Sequence, residues 1–234
     1  VGNTFDYPYL HGEAMLKAGH SFVSASKNAA IAKAMFDTKC YAAIDLIMGK
    51  NKQSKLGRLQ PQRELSFKTF SPALQQAITD YCKAGGSLFV SGAYLGTDLW
   101  RNPLSTPQQQ DIDFAKHILK YQLRNDKAAV TGRLSTIVSP LTNDVLTLDY
   151  AAKPNTRCYA VESPDAIEPA DSCAYTAFRY PENNKSAGIV FGGNQTDDWR
   201  TVVLAVPFET IIESKERTKL MQMILNYLLQ PSRF

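Results

Sequence analysis

The chain has 234 residues, 44% of them hydrophobic and 21% charged, with a net charge of +4. That is enough chain for one large α/β domain, and no apolar run reaches the roughly 20 residues of a membrane span. The basic residues are scattered, and the densest stretch, residues 50–63 (KNKQSKLGRLQPQR), has no aromatics interleaved, so neither nucleic-acid binding nor membrane insertion is expected.

In chain order, residues 9–18 read as a short helix closed by Gly19 at the position where glycine takes a left-handed conformation cheaply. Residues 20–24 read as a short strand. Ser26 caps a helix to residue 36 with Ala30, Ile31, Ala34 and Met35 as its apolar stripe. Residues 41–48 (YAAIDLIM) are nearly all apolar, as in a strand covered on both faces. Asp45 interrupts that run, and if buried it needs a hydrogen-bonding partner.

A polar loop to Ser66 follows. Ser71-Pro72 then supplies an N-cap with proline at the first helical position, opening a helix with Leu74, Ala77, Ile78, Tyr81 and Cys82 on one face. It ends at Gly85-Gly86, and residues 87–91 form the next buried strand. Thr106-Pro107 opens a further helix. From Ala128 the pattern turns β-rich, with strand-like runs at 128–138, 144–150, 157–161, 173–180 and 187–191. Residues 182–185 (ENNK) look like a hairpin tip. Residues 200–206 form an apolar strand and 214–229 a final amphipathic helix.

Alternating helices and strands predict a three-layer α/β/α sandwich on a mostly parallel sheet. Residues 1–234 read as one domain, with a β-rich insertion over about 128–192. Such a sandwich normally opens on a strand, whereas residues 1–8 read as a loop, so a first strand is expected upstream and the chain is read as excised from a longer one.

The cysteines are Cys40, Cys82, Cys158 and Cys173. None has C-x-x-C spacing or a histidine at metal-ligand spacing, so no metal and no cofactor is expected. Cys40 and Cys82 read as small core residues. Cys158 and Cys173 flank a proline-rich segment and are either free or bridged.

Three segments carry a resemblance: residues 3–15 (NTFDYPYLHGEAM), 85–99 (GGSLFVSGAYLGTDL) and 200–211 (RTVVLAVPFETI) with the helix after it. Together they resemble the class I glutamine amidotransferase-like domain of bacterial secreted proteins labelled xanthan lyase-like. The resemblance implies a secreted or periplasmic setting and neighbouring domains in a parent chain. In active members a cysteine on the strand–turn–helix elbow works with a His-x-Glu near the C-terminus. Here the elbow Gly92-Ala93-Tyr94-Leu95-Gly96 has Tyr94 at its centre, and Pro207-Phe208-Glu209 keeps only the glutamate. Without a thiolate and its base, glutamine hydrolysis has no nucleophile.

Ligands of open α/β sheets bind at the carboxyl ends of the strands. Loops expected there bring Asp6, Tyr7, Tyr9, His11, Ser91, Gly92, Tyr94, Asp98 and Glu209 to one rim. His11 suits acid–base work with its ordinary pKa of ~6.5, or else bonds to Asp6 or the backbone in the first turn of its helix. Tyr94 stacks on a sugar or packs its ring with the hydroxyl wet. Ser91 has only His117 after it in the chain, mid-helix, so a Ser-His-acid triad is not expected. Asp98 caps its own helix or binds ligand. Asp6 and Glu209 form a glycosidase-like carboxylate pair only if their separation allows it.

Tyr7, Tyr9, Tyr94, Trp100 and Trp199 either anchor loops or form an aromatic platform for a glycan. Residues 191–194 (FGGN) resemble a phosphate loop but lack the following Lys-Ser/Thr, so a turn is expected. The leading expectation is a catalytically degenerate amidotransferase-like module that binds or scaffolds, with glycans as the candidate ligand. The alternative is a hydrolase or lyase acting on polysaccharide or cell-wall material through His11, Asp6, Tyr94 and Glu209.

Overall fold

The computed structural model describes residues 7–52, 54–56, 65–101, 108–154 and 158–231. Asp6 and the helix start at Thr106-Pro107 lie outside them. The first elements are α1 (Tyr7–Lys17), α2 (Lys27–Ala32), β1 (Ile44–Gly49), β2 (Ser54–Leu56), β3 (Leu65–Phe67), α3 (Pro72–Lys83), β4 (Ser87–Gly92), α4 (Leu95–Trp100) and α5 (Gln109–Asp113). After α5 come a π-helical turn, Phe114–Ile118, then β5 (Tyr121–Asn125), β6 (Arg133–Thr136), β7 (Thr147–Asp149), β8 (Ala166–Pro169), β9 (Ala174–Arg179), β10 (Ser186–Phe191) and β11 (Arg200–Leu204). A 3₁₀ turn, Phe208–Thr210, and α6 (Ser214–Leu228) complete the order.

The fold is α/β. Seven strands form one mixed sheet in the order β1-β4-β11-β10-β9-β6-β7, with β2-β3 and β5-β8 as separate pairs. Parallel pairing joins β1 to β4 and β4 to β11, whereas β10, β9, β6 and β7 continue the sheet antiparallel. The sequence reading expected a mostly parallel sheet. The β-rich residues instead extend that same sheet with antiparallel strands, and the expected hairpin joins β9 to β10. At its tip, residues 182–185, Asn184 has φ 60° and the Tyr180 amide donates to the Lys185 carbonyl.

Side chains alternate between two apolar layers, as the two-residue period of a strand requires. Phe89, Val190, Val202 and Leu204 enter one layer with Ala14 of α1 and Leu220, Met221 and Ile224 of α6. Leu88, Val90, Ile189 and Val203 enter the other with Leu74, Ile78 and Cys82 of α3 and with Leu95, Leu99 and Phe114. Each large aliphatic or aromatic side chain so buried contributes about 1.5–3 kcal/mol. Helices therefore cover both faces.

Local signals explain most element ends. Ser71 accepts from the Leu74 amide at the start of α3, and Gly85 leaves it at φ 83°. Ser26 caps α2 through the Ala29 amide, but Ala34 at φ 48° stops the expected helix short of residue 36. The strand expected at 20–24 is absent: residues 20–26 carry no regular structure and pair with no strand. The polar loop after β1 holds β2 and β3, paired antiparallel. No helix among the described residues is long and apolar enough to cross a membrane.

Candidate functional site

The carboxyl ends of β1 and β4 meet at two glycines. The Ala93 amide donates to the Gly49 carbonyl, 2.8 Å away, and a Cβ on Gly92 would sit 2.9 Å from Met48 Cβ and Leu95 Cδ2. Gly92 is therefore required by the close packing of the two strands. Ser91, just before it, is fully buried.

Around this edge the chain builds a clamp from three distant segments. His11 of α1 is 1% exposed. Its Nδ1 bonds Asp45 Oδ2 of β1 at 2.6 Å, and its Nε2 bonds Glu209 Oε2 of the 3₁₀ turn at 3.2 Å. Tyr159 completes the cluster, its hydroxyl donating to Glu209 Oε1 at 2.7 Å. The His11 ring also lies against Phe208, with centroids 4.7 Å apart.

Burial alone would lower the His11 pKa, and it is the largest single influence. The Asp45 carboxylate, through charge and hydrogen bond, and then Glu209 outweigh it and push the imidazole up to about 9. His11 is thus an imidazolium at neutral pH that donates from both nitrogens. Burial, then the Glu209 carboxylate, drive the Tyr159 phenol far above its ordinary value, so it keeps its proton.

Such an arrangement positions and stabilises. It offers no free base, because the one imidazole is already protonated and both its nitrogens are engaged. A stand-in thiol is also lacking: Cys158 lies beside the Glu209 carbonyl, but burial pushes it up to about 11. Cys158 and Cys173 are unbridged.

The other expected site residues fall in different places. Tyr94 precedes α4 at φ −126°, without the positive φ and strain of a nucleophile elbow. Its ring is half-buried under the Lys52 ammonium, 4.5 Å from the centroid. Tyr7 packs edge-on against Tyr159 at 5.1 Å, while Tyr9 is 65% exposed.

Asp98 belongs to the scaffold. Its carboxylate is buried and accepts from the Thr69 and Phe70 amides, each at 3.0 Å, fixing the chain that enters α3. Asp98→Ala should therefore cost about 2–3 kcal/mol by leaving two buried donors unpaired, with Asp98→Asn losing roughly half of that; thermal unfolding reads both.

The five-ring aromatic platform does not assemble. Trp199 is buried with its indole nitrogen donating to the Ile118 carbonyl, and Trp100 lies against Tyr121. Phe191 ends β10, and the chain turns at residues 194–197, where the Asn194 side chain accepts from the Thr196 and Asp197 amides.

Asp45 and Tyr159 are the site residues that sequence reasoning did not place. Asp45 had a signal, a lone carboxylate in an apolar strand; Tyr159 had none. No group of three or more His, Cys, Asp or Glu among the described residues is arranged to hold a metal ion. A cavity of about 210 Å³ lies at the opposite, amino edge, where Arg200 is spent on the Gln230 and Pro231 carbonyls.

The fold and the clamp define an α/β protein with an internal ion cluster that runs from Asp45 of β1 through His11 to Glu209 after β11. No sequence-family profile matches the chain, and no curated protein sequence matches it. Solved structures do. A GH42 β-galactosidase from G. stearothermophilus matches 97% of this chain and 26% of its own, with 10% identity and a TM-score of 0.53. The cytoplasmic protein STM1381 from Salmonella typhimurium LT2 matches over 96% of this chain and 87% of its own, at 15% identity and a TM-score of 0.52. An exo-beta-1,4-mannosidase from Opitutaceae bacterium strain TAV5 is similar over 69% of this chain and 24% of its own, at 10% identity and a TM-score of 0.42. The chain thus spans about a quarter of the length of these glycosidases. At these identities the likeness is one of fold.

Proposed function

We propose that this chain is a non-catalytic, amidotransferase-like α/β/α module that binds or scaffolds within a larger secreted or periplasmic bacterial protein, with glycans as its ligand class. Helical layers on both faces of the sheet support the sandwich, and the antiparallel strands β6, β7, β9 and β10 are read as the β-rich insertion. One observation carries the non-catalytic reading. His11, the best acid–base candidate at the sheet edge, is buried and clamped as a cation between Asp45 and Glu209. Tyr94 at the elbow and Pro207 before Phe208-Glu209 leave the parent chemistry without nucleophile or base.

Of the five candidate rings, Tyr9 is exposed and Tyr7 and Tyr94 are half-buried. Tyrosine rings suit sugar faces because the body is apolar and the tip polar. Tyr94→Ala and Tyr9→Ala should each weaken retention on immobilised polysaccharides by roughly tenfold, with no turnover on the same panel. Neighbouring domains of a parent chain are the other proposed partners.

The alternative is a hydrolase or lyase acting on polysaccharide. The fold shared with part of a β-galactosidase is compatible with a carbohydrate setting. Turnover that disappears in Glu209→Gln, a variant that keeps the side-chain shape, would establish that alternative and overturn the binding module. Absence of both retention and turnover would reject the glycan assignment.

A further inference from the structure

Two buried polar atoms near the clamp have no hydrogen-bond partner among the described residues: Asp45 Oδ1 and Ser91 Oγ. Ser91 is fully buried, and Asp45 spends its other oxygen on His11. In the parallel β1–β4 pair, Asp45 stands opposite Phe89 and Ile47 opposite Ser91. Alternate residues share a face, so Asp45 and Ser91 both project into the layer that holds Phe89 and His11. Strand spacing and rise put their Cα atoms roughly 8 Å apart, a span that one small molecule can bridge between side chains.

Buried polar groups in folded proteins are almost always paired, with protein or with an ordered small molecule. We propose that Asp45 Oδ1 and Ser91 Oγ form a buried site for one neutral, water-sized molecule beside the clamp. An ionised carboxylate oxygen only accepts, so the occupant must donate to Asp45, whereas the Ser91 hydroxyl either donates or accepts. The imidazolium on the other oxygen of Asp45 repels a second cation, which argues against ammonium or a metal ion. Both atoms are closed to solvent, which bars a glycan hydroxyl. Water fits: neutral, with donors for Asp45 and both donors and acceptors for Ser91. It gives the second oxygen of Asp45 a partner, which a buried carboxylate oxygen needs. The site rests on the clamp geometry and stands independently of the glycan reading.

A high-resolution crystal structure of the chain tests the site, paired with water magnetic relaxation dispersion in solution. The expected result is ordered density within about 2.7–3.2 Å of both atoms, and a long-lived water that Ser91→Val removes by filling the space with methyls. If Ser91→Val does not fold, Ser91→Ala serves: it leaves room but removes one anchor, and the water's residence should shorten at least tenfold. Finding Ser91 Oγ bonded to a main-chain carbonyl and Asp45 Oδ1 to a protein donor, with no density between, would overturn the site. So would identical dispersion for wild type and variant.

Discussion

Replacing His11 by alanine is expected to destabilise the chain by about 3–5 kcal/mol at neutral pH, the cost of removing one partner from a buried ion pair. The loss is large because Glu209 is fully buried as a side chain and Asp45 is only 10% exposed. Without the imidazolium these two buried carboxylates lose the cation they share. His11→Gln should fall between wild type and alanine, since the amide keeps hydrogen bonds but not the charge. Urea unfolding at several pH values reads all three. A His11→Ala chain as stable as wild type at neutral pH would refute the clamp.

The wild-type clamp has its own pH signature. The folded His11 pKa of about 9 lies above its ordinary 6.5. The folded state therefore holds that proton more tightly than the unfolded chain does. Its contribution is fully present below pH 6.5 and fades as pH rises through 9, by about 3 kcal/mol in all.

Much of the architecture was legible where the signals are local. Ser71-Pro72 and Gly85 bound α3, and residues 87–91 after it were readable as a buried strand, which is β4. Pairing partners are a different kind of information. His11 meets Asp45 across 34 residues and Glu209 across 198, and no periodicity encodes contacts of that span. Asp45 could be seen to need a partner, but only the fold says which. The strand expected at 20–24 failed for the same reason, because extended chain becomes a strand only when a neighbour completes its ladder. For Asp98 and Trp199 the alternatives were structural support or ligand contact, and the fold spends both on backbone groups of neighbouring segments that sequence could not name.

Asp165 gives the second large effect, in a separate pH window. It lies just before β8, buried, and accepts from the Thr97 amide and hydroxyl at the start of α4, both at 2.6 Å. Its own amide donates to the Ala93 carbonyl. The carboxylate thereby satisfies donors of the first turn of α4. Burial pushes its pKa up to about 6, although the Thr97 bonds pull the other way. The ordinary value is 3.8, so the folded state favours the protonated acid over that interval. Stability should fall by about 3 kcal/mol as pH rises from 4 to 6 and stay lower above it. Asp165→Asn cannot ionise, yet its amide oxygen still accepts from Thr97. That variant should unfold no more easily than wild type at pH 7 and should lack the decline between pH 4 and 6. The His11-dependent decline toward pH 9 should remain, because Asp165 takes no part in the clamp's hydrogen bonds. Asp165→Ala should instead lose about 1–3 kcal/mol by stranding the Thr97 donors. Thermal unfolding of wild type and both variants from pH 4 to 10 separates the two groups, and a decline between pH 4 and 6 that survives Asp165→Asn would assign that window to another residue.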